Sequence, residues 1–285
     1  MTILTDILAY EFMRRAFLVG LLLAVVIPCV GVIVVLRRLS MLGDALSHTA
    51  LAGVAAGLVA GINPILGAIA ASTAAALGIE AIRKRFPRYA ELSIAIILSA
   101  GVGLAGVLSG LVPGSANFNS FLFGSIVAIS DFELLLVCGV GGAVLLTFAL
   151  LYKELFYLAM DERAARLAGV PVGAVNFIFT ILTAAAVSVA GRTVGALIVS
   201  SLMVLPVACA IQLARSYRQT VLLSVGFGVF FMMSGLCVAY YARLKPGGTI
   251  VLVGVACLLL ILLLKSLLTA VARAAARGAA AHSGR

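Results

Sequence analysis

Asp44 and His48 stand four positions apart in the stretch Gly43-Asp44-Ala45-Leu46-Ser47-His48, at the head of an apolar run. On a helix, residues i and i+4 share one face. One carboxylate oxygen and one imidazole nitrogen can then reach the same divalent cation. That donor pair suits Zn²⁺, Mn²⁺ or Fe²⁺, whereas alkali ions have no use for an imidazole. Two ligands hold a cation weakly, and two copies facing each other across a dimer axis would supply four. A weak site suits a cation that must be released. Neutral imidazole is the ligand form, so acid opposes binding.

Ionisable groups are expensive in hydrocarbon, and a pair kept there marks a functional site. His282, in the C-terminal tail, is the other histidine of the chain, so intramembrane imidazole chemistry must use His48. The same residues admit a structural reading. Asp before an apolar run is a helix N-cap signature. His48 would then accept a bond from Ser47 or pair with Asp44.

The elements that position this pair must be membrane helices. The chain has 285 residues, of which 64% are hydrophobic and 11% charged. Its mean hydropathy is +1.26. Soluble domains carry roughly 25% charged residues, so this chain cannot coat a water-exposed surface and is polytopic. With no Trp, an interfacial aromatic belt must rest on Tyr and Phe. The net charge of +10 does not indicate nucleic acid, because the basic residues lie in short clusters flanking apolar runs. The five cysteines, Cys29, Cys138, Cys209, Cys237 and Cys257, lack CxxC spacing and indicate neither a disulfide framework nor a thiolate site. Met1–Tyr10 is not a signal peptide, since Asp6 and Glu11 precede the apolar run.

A bilayer-crossing helix needs about 20 apolar residues. The sequence predicts spans near 16–36, 45–62, 65–82, 92–112, 132–151, 175–191, 194–213, 220–241 and 249–268. The sixth is short and 191–193 is barely a loop, so the expected fold is an all-α membrane bundle of eight or nine spans. Loops after odd-numbered spans, with the C-terminal stretch from Lys265 onward, hold 15 of the 20 basic residues. The positive-inside rule places them and the C-terminus in the cytoplasm and the N-terminus outside. One membrane domain over 1–268 and a basic cytoplasmic tail over 269–285 are expected. The tail would lie on anionic lipid.

Other features bear on positioning and motion. Pro28 and Pro206 fall inside spans, where each removes a backbone hydrogen bond and favours a kink, either for gating or for packing. Gly53, Gly57 and Gly61, then Gly106 and Gly110, have the small-residue spacing of close helix packing. Residues 118–130 are apolar but too short to cross, which suits a re-entrant or interfacial helix. The longest cytoplasmic loop runs from Lys153 to Asn176 and holds a helix over about 160–169. Asp161 and Glu162 stand at its start, Gly169 fits a C-terminal cap and Pro171 follows. Such a helix either docks a partner or merely connects.

Arg37-Arg38-Leu39-Ser40-Met41-Leu42-Gly43-Asp44-Ala45-Leu46-Ser47-His48 resembles the signature of the ABC-3 class, the permease subunits of bacterial ABC importers for zinc, manganese and iron. Leu122-Phe123-Gly124 is similar to that family's mid-chain motif, and Val194–Pro206 to its late helix with an internal proline. Pro246-Gly247-Gly248-Thr249-Ile250-Val251 resembles the turn before its last helix, although Gly247-Gly248 stands where Gly-Pro is common. The resemblance covers roughly residues 10–268.

It implies a homodimeric, multi-pass subunit of the bacterial plasma membrane. A separate cytoplasmic ATPase dimer would power it, and an extracytoplasmic binding protein would deliver Zn²⁺ or Mn²⁺, with zinc favoured. The transported ion is cargo, and no resident cofactor is implied. Asp44 and His48 would line the path. Asp161, Glu162, Arg163, Ala164, Arg166, Ala168 and Gly169 would form the ATPase-coupling helix. The chain lacks a GxxxxGK[ST] phosphate loop and is not itself an ATPase.

Two other classes compete. A proton- or ion-coupled secondary transporter would carry more intramembrane carboxylates than Asp44 alone. An intramembrane enzyme would need a nucleophile or a fuller ligand set.

Overall fold

The computed structural model describes residues 11–86, 89–112 and 130–283. The described residues are helical throughout: α1 (Glu11–Leu36), α2 (Leu42–Ala60), α3 (Pro64–Arg85), α4 (Ala90–Ser109), α5 (Asp131–Leu150), α6 (Tyr152–Met160), α7 (Glu162–Leu167), α8 (Val172–Ala190), α9 (Ala196–Leu213), α10 (Tyr217–Ala242) and α11 (Pro246–Ser283). Among the described residues, eight helices are long and apolar enough to cross a membrane, and Ile198–Leu213 of α9 is a shorter apolar helix. The expected short helix at 118–129 lies outside the described residues. Ser130 closes α5 with a capping box: its hydroxyl accepts from the Glu133 amide, while Glu133 accepts from the Ser130 amide at 2.9 Å.

The junction read as barely a loop is a π-helical turn, Gly191–Gly195. Gly195 has φ +109, which interrupts the helix between α8 and α9. Residues after 268 continue α11 to Ser283.

The centre of the bundle is α1 and α2. In each, 72% of the apolar stretch is buried, against 22% for α4 and 11% for α11. α2 packs on α3, α4 and α9, while α1 packs on α5, α9 and α10. Polar residues are few at these crossings, so close approach depends on small ones. A Cβ on Gly53 would overlap the Gly67 carbonyl of α3, and one on Gly31 would overlap the Met203 carbonyl of α9. Gly57 meets Pro64, while Gly61 supplies the left-handed cap of α2, with φ +68, before Asn63 caps α3. Gly106 and Gly110 depart from expectation. A Cβ on Gly106 would meet nothing within 4 Å, so this pair forms no packing face among the described residues.

Pro28 and Pro206 both lie inside continuous helices. Pro28 has no N–H for the Ala24 carbonyl. Gly228 of α10 closes on that carbonyl, where an added Cβ would lie 2.5 Å from the oxygen and 2.6 Å from Pro28 Cγ. The missing hydrogen bond is therefore covered by tight packing.

Candidate functional site

The turn that delivers Asp44 begins at the end of α1. The Leu39 amide donates to the Val34 carbonyl at 2.9 Å and the Arg38 amide to Val35 at 3.0 Å. This is a Schellman cap. Arg38 takes the left-handed position usually given to glycine, with φ 58, and Leu39 is buried. α2 then starts at Leu42 with Met41 as its N-cap and no side-chain capping bond.

Asp44 is therefore inside the first turn and not at the cap. That removes the capping reading of this residue. Ser47 is buried with its hydroxyl unpartnered, so it does not donate to His48. Among the described residues, no hydrogen bond or ion pair engages Asp44 or His48.

Exposure singles out the same two residues. From Leu42 to Ala55, every residue is buried except Asp44 and His48. Their neighbours are held tightly. A Cβ on Gly43 would lie 3.2 Å from Ser200 of α9, and one on Gly101 of α4 would come within 3.3 Å of the His48 carbonyl carbon. The stripe continues to partly or fully exposed positions at Met41, Ala56 and Val59. α2 thus buries three sides and leaves one narrow face uncovered, with an acid and an imidazole on it. No group of three or more His, Cys, Asp or Glu side chains forms a metal cage among the described residues. Among the described residues, one chain offers only this pair of donors on the α2 face.

The basic end of the bundle is different. Asp161 caps α7, accepting from the Arg163 amide at 2.7 Å. Gly169, with φ +81, closes it through a bond from the Val170 amide to the Ala165 carbonyl at 3.0 Å. The helix expected over 160–169 is thus six residues long, because Tyr152–Met160 forms a separate helix before it. α7 buries Ala165 and leaves Asp161, Arg163, Ala164, Arg166, Ala168 and Gly169 exposed, with Glu162 half-buried. Leu167, unmarked in the sequence reading, is 91% exposed. An apolar residue inside a short charged helix was the signal available for it.

Arg37 was not singled out as a site residue either. Its side chain is only 8% exposed, and it reaches Glu162 of α7 at 3.6 Å. It also donates to the Asn176 side-chain oxygen of α8 at 2.7 Å. Burial, reinforced by the nearby Arg83, lowers its pKa to about 10, against the opposing pull of Glu162 and Glu80. Glu162 also holds Arg166 at 2.7 Å, and Glu80 holds Arg83 at 2.7 Å. These groups line a cavity of about 710 Å³ between α7 and the ends of α1 and α3.

At the opposite end, Arg15 meets Asp131 at 2.6 Å and Glu11 at 2.7 Å, and Arg192 meets Glu133 at 2.8 Å. Two cations that weaken the charge asymmetry of the sequence are thus offset by carboxylates at the start of α5.

This architecture is that of a multi-pass membrane permease. Residues 9–265 match the ABC 3 transport family, and the chain belongs to that family. A probable metal transport system membrane protein of Treponema pallidum (strain Nichols) is 37% identical over 259 residues, covering 90% of this chain and 97% of that one. The manganese import system permease protein ScaB of Streptococcus gordonii is 30% identical, covering 85% and 87%. The fold is also similar to PsaBC from Streptococcus pneumoniae, solved in complex with a Fab. There the TM-score is 0.81 at 28% identity, covering 91% of this chain and 94% of that one.

Proposed function

We propose that the chain is the permease subunit of an ATP-driven importer of a divalent transition metal, with Asp44 and His48 as ligands on the translocation path. One observation carries this reading: in the most enclosed part of α2, those two side chains alone keep access to the outside of the helix. An unpartnered acid and imidazole in an apolar bundle are costly unless they serve a ligand. Two donors per chain suit transient binding, and a second copy facing this stripe brings the set to four. The imidazole favours zinc on donor grounds, whereas the one relative named above as a manganese import permease favours manganese. The exposed face of α7 is the surface on which a separate ATPase docks, and an extracytoplasmic binding protein delivers the ion.

The test is uptake of radiolabelled Mn²⁺ and Zn²⁺ by cells or proteoliposomes carrying the assembled system. Wild-type uptake stops on ATP depletion and survives an uncoupler. Uptake that instead collapses with the proton gradient would assign the chain to secondary transport. Asp44→Ala and His48→Ala abolish uptake while the subunit still assembles with its ATPase. Full uptake in both variants would discard the site.

A further inference from the structure

Several cations at the basic end have polar partners within the chain. Arg37 and Arg166 meet Glu162, Arg83 and Lys84 meet Glu80, and Lys265 meets Gln212. Lys153 and Arg218 differ. Both are exposed, and among the described residues neither has an ion-pair or hydrogen-bond partner. They line one cavity of about 790 Å³, between the end of α5 and the starts of α6 and α10.

The rest of that cavity is unlike a water-facing cleft. Leu150 and Leu222 line it and are 72% and 62% exposed. Glu154 also lines it, and its Oε2 is shut off from solvent with no hydrogen-bond partner. Behind it, Tyr217 packs against Tyr152 and Phe156, with ring centroids 5.2 and 5.0 Å apart. Tyrosines gather at headgroup depth. The apolar stretch of α5 ends at Leu150 and that of α10 starts at Tyr217, so the cavity opens at the membrane boundary. Its basic end faces the cytoplasm by the positive-inside rule.

We propose that this groove seats one anionic glycerophospholipid of the cytoplasmic leaflet. Its phosphodiester lies between Lys153 and Arg218, an acyl chain runs along Leu150 and Leu222, and a headgroup hydroxyl donates to the accessible oxygen of Glu154, Oε1. Two cations and one carboxylate leave a local charge of +1, which one phosphodiester cancels. An ethanolamine headgroup would instead bring a third cation to the site and leave the +1 uncancelled. Basic clefts between membrane helices on the cytoplasmic side recognise headgroups in this way. A soluble acidic partner would leave the two leucines exposed to water. The site does not depend on which ion, if any, the chain transports.

The experiment is native mass spectrometry of the full-length chain in detergent, titrated with phosphatidylglycerol or phosphatidylethanolamine of identical acyl chains. The wild type retains one phosphatidylglycerol at a concentration about tenfold below that needed for phosphatidylethanolamine. The double variant Lys153→Gln/Arg218→Gln loses this preference, and its thermal melting is unchanged because both side chains are exposed. Glycerol phosphate does not displace the bound lipid. Equal retention of the two lipids by the wild type overturns the proposal, as does undiminished retention by the double variant. Displacement by glycerol phosphate would make this a site for soluble phosphoesters and overturn it as well.

Discussion

The uncovered face of α2 and the cluster around Arg37 both hold ionisable side chains in an apolar protein, but they treat them in opposite ways. Arg37 is bound to Glu162 and Asn176, and Glu162 in turn to Arg166. Asp44 and His48 have no partner among the described residues and keep partial access on a helix otherwise enclosed from Leu42 to Ala55. Buried charges that are paired hold elements in register, and removing one partner strands the other. Ionisable groups left unpaired in the same setting are free to bind something else. Six residues separate Arg37 from Asp44, and the strained turn at Arg38 joins them. Arg37 therefore ties α7 and α8 to the turn that precedes α2.

The contrast breaks most sharply at α2. His48→Ala or Asp44→Ala reduces metal uptake by more than a hundredfold, with melting temperature within a few degrees of wild type, because neither side chain holds another in place. Loss of folding in either variant would place the pair with the structural charges instead.

Arg37→Ala behaves in the reverse sense. It leaves the Asn176 oxygen and one side of Glu162 unpaired, at a cost of about 1–3 kcal/mol. Melting falls by several degrees and uptake per ATP hydrolysed falls about tenfold, while metal affinity is unchanged. Arg37→Lys restores the charge but not the two-pronged reach, so it recovers only part of the melting loss.

At α7, Gly169→Pro or Ala168→Glu uncouples ATP hydrolysis from uptake, read as ATPase activity retained with transport lost. Gly169→Ala is milder. Its cost is about 1–2 kcal/mol, from a side chain forced to positive φ. Unchanged transport in Gly169→Pro and Ala168→Glu would separate this surface from coupling.

The smallest expected effect is that of acid. Protonated imidazole cannot bind a metal, so uptake by the wild type declines on acidification and the apparent KM rises before the maximal rate falls. An unchanged KM would remove His48 from the ligand set.

The bundle was legible from one dimension because its signals are local. Apolar runs, the Asn63-Pro64 start of α3, the Gly169 cap and the basic flanks all act through neighbours within a turn or two. The π turn at Gly191–Gly195 was not legible, since helical residues on both sides hide a break that depends on one glycine at φ +109. The small-residue spacing of Gly53 and Gly106 was equally clear in both cases, but among the described residues only Gly53 meets another helix. Spacing states that close packing is possible, and the partner helix decides whether it occurs.

By itself, the sequence determined that this protein lives in a membrane, roughly where its spans fall, and that one acid and one imidazole share a helical face. Those follow from hydrophobicity and from the pitch of the helix. Only the tertiary structure decided that this face stays uncovered while the rest of α2 is buried. It alone paired Arg37 with Asn176, 139 positions away. Which charges are paired and which are left open depends on how distant helices pack, and no local pattern of residues encodes that.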